Sequence, residues 1–177
     1  MNEKIHSVLS EKYRDDYLKA YKIIVAGGRD FENYEFLSAK LDEIFEKFPD
    51  FKKHQITIIS GMAKGTDTLA IRYADEHKLT KILFPANWKK YPLIAGFLRN
   101  EDMLSIATHL IAFWDGKSNG TKHMIEIAKK KGIELIFNGG NSFIKLFGKD
   151  NEDAILIKEL FISMIPKELM GAENKDA

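Results

Sequence analysis

"QITIISGMAKGTDTLA", Gln55 to Ala70, is the stretch on which the fold turns. Ile56 to Ile59 form a β-branched apolar run of strand length. Gly61 and Gly65 then open the backbone, and from Thr66 the pattern becomes helical. A strand that passes through a short glycine loop straight into a helix is one βα unit of a parallel sheet. In open sheets of that kind ligands bind beyond the carboxyl ends of the strands. Glycine there lets a ligand approach the backbone, and a helix N-terminus offers free N–H groups to an anion. Read alone, the segment is equally a tight turn in which Thr66 or Asp67 caps the helix. It lacks the Gly-Lys-Ser/Thr ending of a Walker loop and the third glycine of the dinucleotide fingerprint.

The same alternation extends in both directions. "YKIIVAGG", Tyr21 to Gly28, reads as a strand ending in a glycine turn. Phe36, Leu37, Leu41, Ile44, Phe45 and Phe48 keep the spacing of a helix face, as do Leu69, Ala70, Tyr73 and Ala74. Residues 81–84 form a third strand stopped by Pro85, and residues 93–107 a helix. Residues 108–114 form a fourth strand. "TKHMIEIAKKKG" is a helix closed by Gly132, and residues 133–137 are a fifth strand. The expected architecture is α/β: a Rossmann-like, doubly wound, mainly parallel sheet with helices on both faces. The spacing divides a single domain into an N-terminal helical extension (1–20), a core (21–138) and a C-terminal extension (139–177). The last of these holds a turn, a short strand, a helix and a frayed tail.

Composition narrows the function. The chain has 177 residues, 27 basic and 26 acidic, for a formal net charge of +1. Long-range attraction to nucleic acid or an anionic membrane is therefore not built into the whole molecule. There is no cysteine, which excludes disulfides, thiolate nucleophiles and thiolate metal sites. His6, His54, His77, His109 and His123 show no ligand spacing, so no metal is expected. No apolar run approaches the roughly 20 residues of a membrane span, and the N-terminal residues lack a signal-peptide core. A cytoplasmic location is expected.

Four stretches fall at the carboxyl ends of the expected strands: "GGRDF", "SGMAKGTD", "FPANWKKYPLIAGFLRNEDM" and "WDGKSNGTKHM". Their convergence on one edge marks a small-ligand cleft. The ligand-binding candidates are Gly27, Gly28, Arg29, Ser60, Gly61, Lys64, Gly65, Thr66, Asp67, Trp88, Arg99, Asn100, Asn119, Gly120 and Thr121. A guanidinium at Arg29 or Arg99 can hold phosphate or carboxylate at two points. Each candidate also has an ordinary structural use: Trp88 in packing, Thr121 as a helix cap, Ser60 in a turn. Nothing near Ser60 in the sequence supplies a base.

In order and spacing these blocks resemble the YspA-type branch of the SLOG superfamily, over about Tyr21 to Phe137. That superfamily also holds the cytokinin-activating phosphoribohydrolases, the DNA-processing protein DprA and sensor domains for nucleotide signals. The resemblance implies a Rossmann-like domain that recognises a nucleotide or nucleotide-derived ligand, with no other cofactor. It places Gly27–Gly28, Gly61–Gly65 and Asn119–Thr121 around phosphate and ribose. Arg99, with Met103 four residues on, matches the hydrolases' Arg-x-x-x-Met block. Their Pro-Gly-Gly-x-Gly-Thr-x-x-Glu block departs here to "GKSNGTKHM", with Met124 at the position of the Glu. A thioether cannot act as a carboxylate does in acid–base catalysis. Asp67 and Asp115 are the candidate replacements, each also suited to capping or loop hydrogen bonds. The resemblance thus favours a binder, as sensor, sequestering or processing protein, over an N-glycoside hydrolase acting through Arg99, Asp67 or Asp115. DprA-like binding of single-stranded DNA through Lys89, Lys90, Arg99 and Lys129–Lys131 is least favoured, because the net charge is near zero. The expected partner is a small nucleotide-type ligand, and a homo-oligomer is compatible with the sequence. If Gly65 faces the ligand, Gly65→Val blocks binding and leaves the fold intact.

Overall fold

The computed structural model of the chain describes residues 20–48, 55–114, 117–139 and 143–146. The expected N-terminal helix and the C-terminal helix and tail lie outside them. Among the described residues six strands form one sheet: β1 (Tyr21–Gly27), β2 (Ile56–Ser60), β3 (Thr80–Leu83), β4 (His109–Trp114), β5 (Glu134–Gly139) and β6 (Phe143–Leu146). Their order is β3-β2-β1-β4-β5-β6. The first five are parallel and β6 runs antiparallel to β5, so the sheet continues past residue 138. The four helices described are α1 (Tyr34–Glu46), α2 (Thr66–Glu76), α3 (Ala95–Leu104) and α4 (Asn119–Lys131).

Strand order explains the layers. The chain moves outward from β1 to β2 and β3, then returns to lay β4 on the other side of β1. Right-handed crossovers that step in opposite directions put their helices on opposite faces. Alternate residues of β1, β2 and β4 supply the two cores. Ile23, Val25, Ile56, Ile58, Ile111 and Phe113 pack with Leu37, Leu41, Ile44 and Phe45 of α1 and Ala70, Tyr73 and Ala74 of α2. Ile24, Ala26, Ile59, Leu110 and Ala112 pack with Met103 and Leu104 of α3 and Met124, Ile125, Ile127 and Ala128 of α4. The helical faces read from sequence are thus the ones buried, although Phe36 and Leu69 are only partly covered.

Local chemistry fixes the helix ends. Asn33 caps α1 by accepting from the Phe36 amide at 3.0 Å. Ser118, not Thr121, caps α4: its hydroxyl accepts from the Thr121 amide at 3.4 Å. Gly132 closes α4 in the left-handed conformation at φ 68°, and Lys129–Lys131 occupy the last turn, where the helix dipole favours cations. α3 begins two residues later than the apolar pattern implies, leaving Leu93 and Ile94 exposed before it. No helix among the described residues is long and apolar enough to cross a membrane.

Candidate functional site

The sheet reverses its winding between β1 and β4, and a ligand crevice is expected at such a point. The loop after β1 carries Gly28 and Arg29, and the loop after β2 runs from Gly61 to Gly65. The two are tied together. The Thr66 amide and the Thr66 hydroxyl both donate to the Gly28 carbonyl, each at 3.2 Å. Gly65 sits at φ 75°, and a Cβ there would lie 2.4 Å from Gly28 O and 2.5 Å from Arg29 O. Gly65 therefore serves backbone-to-backbone packing, and Gly65→Val strains the fold itself. Gly27 is similar: a Cβ would lie 2.4 Å from both Phe113 O and Thr66 Oγ1.

The Gly61–Gly65 loop is stitched by its own side chains. Ser60, fully buried, donates to the Asp67 carbonyl and accepts from the Met62 amide, both at 3.2 Å. Asp67 Oδ2 accepts from the Ala63 amide at 3.2 Å. Asp67 and Thr66 are both buried, and neither caps α2, whose N-cap is Gly65 with no side-chain bond. Burial pushes the Asp67 carboxyl above its ordinary value, against the pull of the Ala63 amide, Arg99, the Gly61 amide and Arg29. Several amides that a phosphate would use thus already have an acceptor within the chain. Lys64 is exposed on the same loop.

Arg99 reaches this loop from α3. Its Nη1 donates to the Gly61 carbonyl at 2.6 Å, across 38 residues of sequence. The guanidinium lies on the open face of Gly61, where a Cβ would be 2.8 Å from both Cζ and Nε. Nε is buried without a hydrogen-bond partner. Burial lowers the Arg99 pKa, the Asp67 carboxylate opposes that, and the like charge of Arg29 adds to it. Arg29 also stands over Trp88, with 5.8 Å from Cζ to the ring centroid. The structure thus brings Arg29, Gly61, Asp67, Trp88 and Arg99 together from four separate segments.

The α4 end of the site is joined through Asn100. This buried amide donates to the Gly120 carbonyl at 3.2 Å and lies 3.2 Å from His123 Nδ1. Asn100 therefore locks α3 to the start of α4. Thr121 is buried against Ser118, 3.1 Å between hydroxyls, while Asn119 and Gly120 are exposed. Asp115 lies outside the described residues. Met124 is 1% exposed, in the apolar cluster with Met103, so the position aligned with the hydrolases' Glu faces the core. Among the described residues no group of three or more His, Asp or Glu is placed to hold a metal ion. Sequence reasoning missed the Arg29–Trp88 and Arg99–Gly61 contacts. Arg99–Gly61 joins elements far apart in the chain, and no local pattern records it.

Comparison with known proteins agrees with the fold. The model of the YspA, cpYpsA-related SLOG family matches residues 21–91. The Gene 61 protein of Mycobacterium phage D29 is 27% identical over 121 residues, 65% of this chain and 94% of that protein. DNA processing protein A (DprA) of Streptococcus pneumoniae superposes with a TM-score of 0.53 at 17% identity, over 84% of this chain. This chain spans only 58% of that protein's length, and the likeness is one of fold. DprA of Helicobacter pylori, described for its single-stranded DNA binding mode, superposes at a TM-score of 0.49 and 16% identity, over 82% of this chain and 75% of that one. Through the segment from β1 to Tyr91, the chain is similar to the YspA, cpYpsA-related SLOG family.

Proposed function

We propose that the protein binds a nucleotide or nucleotide-derived ligand at the carboxyl edge of its sheet, as a sensor, sequestering or processing protein. One observation carries the reading: beside the Gly61–Gly65 loop the Arg99 guanidinium lies on a glycine face with its Nε buried and unpartnered, and Arg29 stands over Trp88, which meets Arg99 at Gly96. A half-buried guanidinium with an exposed cation close by is stabilised by an anion that meets both. Similarity to the SLOG family over residues 21–91 supports nucleotide or nucleic-acid binding as the class of function. The anion is held chiefly by the arginines, because the loop amides at Met62 and Ala63 are already used. Exposed Lys64 and Asn119 and the open backbone at Gly120 border the same edge.

The test is calorimetry with nucleoside monophosphates and dinucleotides. Binding by the unmodified protein is expected, with Arg99→Ala weakening it about 10- to 100-fold, the worth of a charge-assisted hydrogen bond. Undiminished affinity in a folded Arg99→Ala variant removes the arginine pair from the site.

A second reading, nucleotide N-glycoside hydrolysis, is favoured by Asp67, a buried carboxyl pushed up by burial beside Arg99. Such a group suits a general acid, although its contact with Ala63 gives it a structural task as well. Release of free base, followed by chromatography and lost in Asp67→Asn, would establish it. A third, single-stranded DNA binding, takes support from the fold shared with a DNA processing protein and from the exposed Trp88-Lys89-Lys90-Tyr91 run.

A further inference from the structure

Resting on the nucleotide reading of this edge, we propose that the indole of Trp88 is the stacking platform for the ligand's base. The site then takes a free nucleoside monophosphate, with its base on Trp88 and its phosphate between Arg29 and Arg99. Trp88 is 46% exposed; Tyr91 and Phe97 are exposed near it, but Tyr91 meets Lys90 and Phe97 meets His123, whereas Trp88 meets Arg29. It is nonetheless held. The turn that presents it is closed by Asn87, whose side chain accepts from the Lys90 amide at 3.0 Å and whose carbonyl accepts from the Tyr91 amide at 2.9 Å. The rim of the indole rests on Gly96 in the first turn of α3.

The position of Gly96 ties the indole to the anion site. A Cβ there would lie 3.3 Å from Trp88 Cη2 and 3.8 Å from Arg99 Nη2, so ring and guanidinium meet over one glycine. Arg29 approaches the ring from a different element, the loop after β1. The indole is therefore flanked by the same cations that hold the anion. A sugar phosphate would satisfy the cations and leave the indole in water. A nucleoside monophosphate covers both, since a base stacks on an aromatic face while its phosphate, one ribose away, meets the charges. A free nucleotide is favoured over a strand because the net charge is only +1, too little to draw a polyanion.

The experiment compares adenosine, guanosine, cytidine and uridine 5′-monophosphates with ribose 5-phosphate, inorganic phosphate and a ten-nucleotide single strand. Each is titrated into the unmodified protein, Trp88→Leu and Trp88→Phe. At least one mononucleotide is expected to bind more tightly than ribose 5-phosphate and to quench tryptophan fluorescence. Trp88→Leu should cost that nucleotide about 5- to 150-fold, the usual worth of one stacked base, and leave ribose 5-phosphate unchanged. Trp88→Phe should restore most of the loss. A nucleotide preference that survives Trp88→Leu overturns the platform and leaves the nucleotide reading standing. Equal binding of ribose 5-phosphate and nucleotides, or no binding of any probe, overturns both. A strand that binds far more tightly than every mononucleotide, with Tyr91→Leu as costly as Trp88→Leu, overturns the free-nucleotide assignment in favour of a strand.

Discussion

Asp67 shows how one residue can serve the loop and burden the fold. Its carboxylate orders the Gly61–Gly65 loop through the Ala63 amide, yet it is only 6% exposed and burial raises its pKa. The ordinary value is 3.8. A folded protein that holds this proton more tightly than the unfolded chain loses stability as pH rises through the interval from the unfolded to the folded value. Above that interval the contribution is flat. Asp67→Asn removes the titration and keeps an oxygen for the Ala63 amide. Urea unfolding of both proteins across pH should show the stability of the unmodified protein, relative to Asp67→Asn, falling as pH rises from about 3.8. The opposite slope would mean that Arg99, Arg29 and the loop amides outweigh burial.

The glycine loops were legible in the sequence as elements but not in their use. Strand, open loop and helix follow from composition and period, and the strand ends fall within a residue or two of their expected places. What each glycine faces is a tertiary matter. Gly61 faces a flexible guanidinium, Gly65 faces the backbone of another loop, and Gly120 has nothing within 4 Å of a Cβ. Alanine at the three positions should therefore give three different results. Gly61→Ala moves Arg99 off the loop and is expected to weaken nucleotide binding with little loss of stability, because a side-chain end can shift. Gly65→Ala meets backbone at a positive φ and should cost roughly 1–3 kcal/mol or more in thermal or urea unfolding. Gly120→Ala, in the first turn of α4, should stabilise by about 0.4–1 kcal/mol. Equal effects at Gly61 and Gly65 would contradict the division of roles.

On the scale of the whole molecule, among the described residues, the loops at the carboxyl edge of the sheet carry the charged candidates Arg29 and Lys64, and the sheet faces beneath are apolar. Met124 belongs to the second part. From sequence it stands at the position of the related hydrolases' Glu, which points to a lost catalytic group. In the fold its side chain packs with Met103, Ile24 and Leu110 between α4 and the sheet. Only the packing of α4 on β1 and β4 decides which way Met124 points. Met124→Glu should therefore produce no hydrolase. A carboxyl buried there without a partner stays protonated at neutral pH. Holding a Glu of ordinary pKa about 4.3 neutral at pH 7 costs roughly 3.7 kcal/mol, before any loss of methionine packing. The loss should shrink as pH falls towards about 4, since the unfolded chain then binds the proton as well. Urea unfolding at pH 7 and pH 5, beside a chromatographic assay for free base, tests both parts. A variant that is as stable as the parent and releases base from nucleotides would show that position 124 opens to the ligand and would favour the hydrolase reading.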